Sequence, residues 1–244
     1  MREGIQPLSQ FSTIDALMQG IYDGPATFNE VSKHGDFGIG TVNHLDGEMI
    51  GLDGFFYKIT GDGSVHRLQP KDKTSFATVC FFKGEHKAAV PQLRSFSALQ
   101  KWLDNRLGTR NHFWAIKIRG DFPLIRARSI SRQKPPYRPL AEVAREENIF
   151  EARQLTGTLV GFRCPPYVSG LNVPGYHFHF LSEDGLFGGH VLGCRIRSGK
   201  AFWEMHRTFQ MLLPDDPKFR NANLSCHDEE ALGNVERQSD PRKR

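Results

Sequence analysis

The sequence predicts an α/β protein of the α+β type, rich in β-structure, with two sheet-containing halves of mixed or antiparallel strands and a few short helices. Three observations predict it. Short apolar runs dominate, cut by Gly and Asp-Gly pairs, as strands joined by tight turns require. One long amphipathic stripe stands out among them, too few for a helix bundle. Apolar residues make up 39% of the 244, enough for a packed core. The expected boundary lies near residue 150, giving halves 1–150 and 151–236 and a basic tail, RQSDPRKR, at 237–244.

Residues 11–20, FSTIDALMQG, read as a short helix capped by Ser12, with Asp15 at the capping-box position and Gly20 as the stop. From 26 to 90 the runs DFGIGTV, EMIGLDGFFYKI, FATVCFF and KAAV read as strands. Residues 93–107 are helical, because Leu93, Phe96, Leu99, Leu103 and Leu107 fall on one face. HFWAIKIRG and FPLIRARSI read as two strands, followed by the connection QKPPYRPL and a short helix starting at Pro139. Beyond 153 the runs LTGTLVGFRCP, GYHFHFLSEDG, LFGGHVLGCRI and AFWEMHRTFQMLL are again strands.

Charge and cysteine usage exclude several classes. The net charge is +5, but part of the excess sits in the 237–244 tail, which has no apolar anchor and reads as a frayed terminus. No folded basic patch and no aromatics interleaved with Lys or Arg point to nucleic acid. No run approaches the roughly 18 apolar residues of a membrane span, and the first twenty residues lack an apolar leader core. Cys80, Cys164, Cys194 and Cys226 are scattered without a C-x-x-C pair, so reduced structural thiols and a cytoplasmic location are expected.

The segment GYHFHFLSEDGLFGGHVLGC carries the chemistry. His177 and His179, two apart, share a face of a strand. With Asp184-Gly185 as the turn, Glu183 pairs with Leu186, and counting back places His190 opposite His179. A four-residue loop keeps that register; a three-residue loop shifts it by one. One hairpin therefore gathers three imidazoles. Three neutral imidazoles suit zinc, with bonds of about 2.0–2.1 Å, and leave a position open for catalysis. The same ligands accept iron, nickel, copper or manganese. His206 and His227 share no ligand spacing with the cluster and read as structural, as do His34, His44, His66, His86 and His112.

That segment, together with GDFGIGTVNHLDGEMIGLDGFFY at 35–57, FWAIKIRGDFPLIRARSISRQKPPY at 113–137 and LLPDDP at 212–217, resembles the alpha-acetolactate decarboxylase family over roughly residues 10–220. The resemblance implies a metal on His177, His179 and His190, a catalytic Glu48 from the LDGE motif, and Arg128 from RARS directed at the substrate carboxylate. It implies a further carboxylate near the C-terminus, best matched by Glu236 in ALGNVE, with Glu229 and Glu230 as competitors. Thr41 in GIGTV would be a positioning residue. It also implies a homodimer that converts 2-acetolactate to acetoin and carbon dioxide, feeding acetoin and butanediol formation.

The chemistry suits these residue types. The substrate's own ketone receives the electron pair released with carbon dioxide, so no pyridoxal or thiamine is required. A divalent ion polarises the ketone and hydroxyl oxygens. An Arg holds the carboxylate, and Arg126 competes with Arg128 because both have the same strand parity. A carboxylic acid protonates the enediolate, and Glu48 and Glu236 both qualify. Two rivals stand against this reading. A cupin-type dioxygenase or isomerase would use H-x-H-x3-E with Glu183 as fourth ligand. A non-enzymatic metal protein would close the site and have no use for Arg128.

Overall fold

The computed structural model describes residues 6–225 and 228–236. Cys226, His227 and the 237–244 tail lie outside the described residues. Thirteen strands are described: β1 (Leu8–Phe11), β2 (Phe37–Thr41), β3 (Glu48–Leu52), β4 (Phe55–Ile59), β5 (Val65–Arg67), β6 (Phe76–Cys80), β7 (His86–Val90), β8 (Phe113–Ser129), β9 (Asn148–Cys164), β10 (Gly175–Ser182), β11 (Gly188–Arg195), β12 (Ser198–His206) and β13 (Phe209–Leu212). The helices are α1 (Ile14–Met18), α2 (Phe28–Val31), α3 (Phe96–Leu107), α4 (Leu140–Val143), α5 (Pro217–Asn221) and α6 (Glu229–Glu236). This is the expected β-rich α+β class with few, short helices.

A seven-stranded sheet runs β13-β1-β6-β2-β3-β4-β5, and a six-stranded sheet runs β11-β10-β9-β8-β12-β7. All pairings are antiparallel except β1 with β13. The sheets do not divide the chain at 150. That residue lies inside β9, which pairs along its length with β8, while β13 crosses back to join β1.

HFWAIKIRG and FPLIRARSI, expected as two strands, form the single 17-residue β8. Its break is real but local. Pro123 can donate no ladder hydrogen bond, Gln154 opposite adopts a φ of 57°, and that one pair drops out of the ladder while the register on either side is unchanged. Before the break β8 pairs with β12; after it β8 pairs with β11. Because β11 also pairs with β10, strands β8, β9, β10 and β11 close on themselves.

Strand alternation sorts the core. Phe113, Ala115, Val160, Phe162 and Leu181 face Leu8, Phe37, Ile39, Ile50 and Ile59 of the other sheet. Trp114, Ile116, Ile118, Phe178 and Phe180 face the opposite way, onto Leu99, Trp102, Leu103 and Leu107 of α3. This is the predicted stripe, although α3 begins at Phe96 with Ser95 as N-cap, and Leu93 instead bridges to Ile196. The first helix also starts later than expected. Phe11 completes β1, Ser12 takes a φ of 66°, and Thr13 caps α1 by accepting the Ala16 N–H at 3.1 Å. A Ser in the left-handed region cannot serve as the extended N-cap, so the adjacent Thr does. Helices α1, α4 and α6 share a third cluster through Ile14, Leu17, Leu140, Val143, Leu232 and Val235.

Candidate metal centre

The hairpin β10–β11 has the register read from the sequence. His179 faces His190 directly, Phe180 faces Gly189 and Leu181 faces Gly188. The loop is four residues rather than two, closed by Ser182 N–H donating to the Phe187 carbonyl at 2.8 Å, and this length preserves the pairing. Since Phe178 and Phe180 point to α3, His177 and His179 point the other way, towards β3.

One potential ligand nitrogen from each of His177, His179 and His190 lies within 4.8 Å of the others, and all three residues are buried. His177 Nε2 stands 3.0 Å from His190 Nδ1. His179 Nδ1 donates to the Met49 carbonyl at 2.8 Å, which leaves Nε2 unprotonated in the neutral ring. That Nε2 is fully buried and has no hydrogen-bond partner. Burial, reinforced by the Arg128 charge, lowers the His177 pKa to about 3. His179 is lowered well below its usual value by burial, then by His177, with Arg128 adding to the effect. His190 is lowered likewise by burial, Arg128 and the two neighbouring histidines. Three neutral imidazoles, one with an orphaned lone pair, are a donor set that fits a divalent cation.

Around them stand the charged residues. Glu48 opens β3, and its Oε2 lies 3.5 Å from His179 Nε2. Burial raises the Glu48 pKa to about 8 against the pull of Arg128, with Glu236 and Glu147 pushing the same way as burial. Thr41 is the cross-strand partner of Glu48, and its hydroxyl donates to the Gly47 carbonyl at 2.7 Å. It thus closes the loop that presents Glu48. Gly47 has a φ of 95°, and a Cβ there would meet the Ile59 carbonyl oxygen at 2.1 Å.

Arg128 is 3% exposed, and its Nη1 donates to Glu147 Oε2 at 2.7 Å. Its Nη2 lies 3.7 Å from Glu236 Oε1, while Nε has no partner. Burial opposes the guanidinium charge, but Glu236, Glu48 and Glu147 outweigh it and raise the pKa. Arg126 takes no part. The bulge between Val191 and Gly193 sets it opposite Gly193, where its Nε lies 3.8 Å from Glu151.

Glu236, on the last turn of α6, brings Oε2 to 3.6 Å from His177 Nε2 and 3.8 Å from His190 Nε2. Of the competing acids, Glu229 accepts from Ser169 at 3.0 Å and Glu230 is exposed. Glu183, the fourth ligand of the cupin alternative, is half-exposed on the hairpin loop and pairs with Arg119. Sequence reasoning missed Glu147 and the Met49 carbonyl. Neither carries a local signal: Met49 meets His179 only where the two sheets pack, and Glu147 reaches Arg128 from the turn before β9. A cavity of about 520 Å³ reaches His177, His190 and Glu236 and also meets Tyr176, Arg163 and α6.

The family model for alpha-acetolactate decarboxylase matches residues 8–226. The alpha-acetolactate decarboxylase of Methanosarcina mazei is 43% identical over 230 residues, covering 94% of this chain and 80% of that protein. That of Methylococcus capsulatus is 43% identical over 227 residues, covering 93% and 87%. The crystal structure of the Bacillus subtilis strain 168 enzyme superposes with a TM-score of 0.92 at 35% identity, covering 96% of this chain and all of that one.

Proposed function

Given that the chain belongs to the alpha-acetolactate decarboxylase family and is a carboxy-lyase, we propose that it converts 2-acetolactate to acetoin and carbon dioxide at the His177–His179–His190 centre. The observation that carries this is the convergence of three neutral imidazoles with one buried guanidinium and two carboxyl groups.

His177, His179 and His190 would hold one divalent ion per chain, with zinc favoured by an all-imidazole set. When bound, the ion supplies Lewis acidity to the ketone and hydroxyl oxygens. Arg128 binds the substrate carboxylate, with Glu147 gripping Nη1 from behind. The bond from the tertiary carbon to the carboxylate breaks, its electron pair passes into the ketone, and carbon dioxide leaves. Glu48 then delivers a proton to the resulting carbanionic carbon. Burial keeps its carboxyl protonated near neutrality. A cation on the imidazoles acts in the opposite direction, and their balance sets the pH at which the acid is loaded. Glu236, across the site beside Arg128, sets a second carboxylate against His177 and His190 where the cavity reaches them. Thr41 holds the Glu48 loop rather than the substrate.

The assembly we assign is a homodimer in the cytoplasm, acting without nucleic acid or membrane. Cys80, Cys164 and Cys194 are free and buried, in keeping with a reducing compartment. Among the described residues no helix is long and apolar enough to cross a membrane.

The test adds racemic 2-acetolactate to the purified protein and follows acetoin and carbon dioxide. Activity should vanish on chelation and return with zinc. Turnover that is indifferent to chelation would overturn the metal assignment, and no turnover in zinc-loaded protein would overturn the substrate.

A further inference from the structure

A second group of metal-ligating side chains lies away from the triad. Cys80 ends β6 in the seven-stranded sheet, while Glu204 and His206 end β12 in the six-stranded sheet. Glu204 and His206 are two apart and so share a strand face. One donor atom from each of the three lies within 4.8 Å of the others. Their exposures are 0%, 4% and 4%, which excludes a substrate and leaves a closed, structural role.

Two of the donors are already oriented. Glu204 Oε2 accepts the backbone N–H groups of Lys83 at 2.8 Å and Gly84 at 2.7 Å, which leaves Oε1 facing His206. His206 Nδ1 lies 3.2 Å from the Gln6 carbonyl, which can only accept, so Nδ1 carries the proton. In the neutral ring Nε2 then presents a lone pair. It lies 3.3 Å from Glu204 Oε1, in ion-pair range, yet the contact does not meet hydrogen-bond geometry and Nε2 has no partner. An imidazole fixed by a carbonyl behind it, with its other nitrogen buried and unpartnered, is the usual setting of a metal-bound histidine. Burial drives the Cys80 thiol well above its ordinary pKa, and the charges of Glu204 and Asp36 add to the effect.

We propose that Cys80, Glu204 and His206 form a second, structural metal site that takes zinc or another borderline divalent cation and pins the two sheets together. Thiolate, carboxylate and imidazole suit such an ion; a water takes the fourth position, and burial rather than a fourth protein ligand keeps substrate from it. Binding converts the Cys80 thiol to a thiolate–metal bond and releases one proton to solvent. The ion would join β6, β12 and the Lys83–Gly84 turn, and through His206 the chain at Gln6.

The test uses the full chain in a C226S background, which removes the one cysteine outside the described residues. Loaded with cobalt(II), it should hold two ions per chain and show a thiolate-to-cobalt charge-transfer band. C80S and H206Q should each lose the band and one ion. H190Q should lose the other ion and keep the band, which separates this site from the proposed catalytic one. If C80S and H206Q fail to fold, the H190Q protein decides alone: one ion with the band supports the site, and no band overturns it. X-ray absorption of the zinc-loaded protein should show a sulfur neighbour at about 2.3 Å. Its absence, with Glu204 and His206 remaining an ion pair, would likewise end the proposal.

Discussion

Arg128 on β8 is the direct cross-strand partner of His190 on β11. One pairing therefore delivers a guanidinium and an imidazole to the same face of the same sheet, without any loop. Two residues earlier on β8, the bulge at Val191–Gly193 removes Arg126 from that alignment.

That difference gives the first prediction. Arg128→Gln should lower kcat/KM by about 100-fold or more, since a buried bidentate partner for the carboxylate is lost. Arg128→Lys should recover only part, because a point charge cannot reproduce the planar fork. Arg126→Gln should change kcat/KM by no more than about twofold, as expected for a partly exposed ion pair. Steady-state kinetics on the three variants checks the order.

Glu48→Gln should retain the ion and lose turnover. An amide keeps the shape but cannot supply the proton, and loss of a general acid typically costs about 100- to 10,000-fold. The measurements are metal content and kcat. Loss of the ion along with activity would reassign Glu48 as a ligand.

Glu147→Gln should raise KM more than it lowers kcat. Glu147 accepts from Arg128 Nη1 at 2.7 Å, so its carboxylate orients the guanidinium. A fall of about tenfold in kcat/KM is the scale of one charge-assisted hydrogen bond, at roughly 1.5 kcal/mol.

Gly47→Ala should cripple the enzyme from outside the site. The substitution meets a φ of 95° and the Ile59 carbonyl at once. Strain of this kind costs on the order of 1–3 kcal/mol before the clash is counted. The Glu48 loop must move, so kcat should fall while His-bound metal is retained, as metal analysis beside kinetics would show.

Asp23 supplies an acid-side signature in stability. Burial works to raise its pKa, but hydrogen bonds from Lys218 and Tyr137 outweigh it, and the pKa is lowered from 3.8. Unfolding in acid therefore takes up a proton that the folded carboxyl resists. The stabilisation is present above 3.8 and is lost as pH falls through the depressed value. Asp23→Asn should flatten the fall in Tm below that pH, measured against wild type in a buffer series.

The hairpin was legible because its information is local. A two-residue period and a short turn fix which imidazoles share a face, and the structure has His179 opposite His190 as the spacing requires. The α3 stripe was legible for the same reason. Other features misled where two neighbouring residues compete for one role. Ser12 and Thr13 both suit an N-cap, and only the backbone at Ser12, held at positive φ between β1 and α1, decides for Thr13.

By itself, then, the sequence determined the β-rich class, the imidazole trio and, through its long motifs, the family. Tertiary structure decided what stands around that trio. Glu48 arrives from the other sheet, Arg128 from a strand whose register turns on a bulge, and Glu236 from a helix docked through Leu232 and Val235. It also set Cys80 beside Glu204 and His206, although E-x-H at 204–206 carries the same two-residue spacing as H-x-H at 177–179. The physical reason is reach. Period and turn geometry act over a few residues, whereas the field at a buried site is a sum over groups distant in the chain, assembled only when the sheets pack.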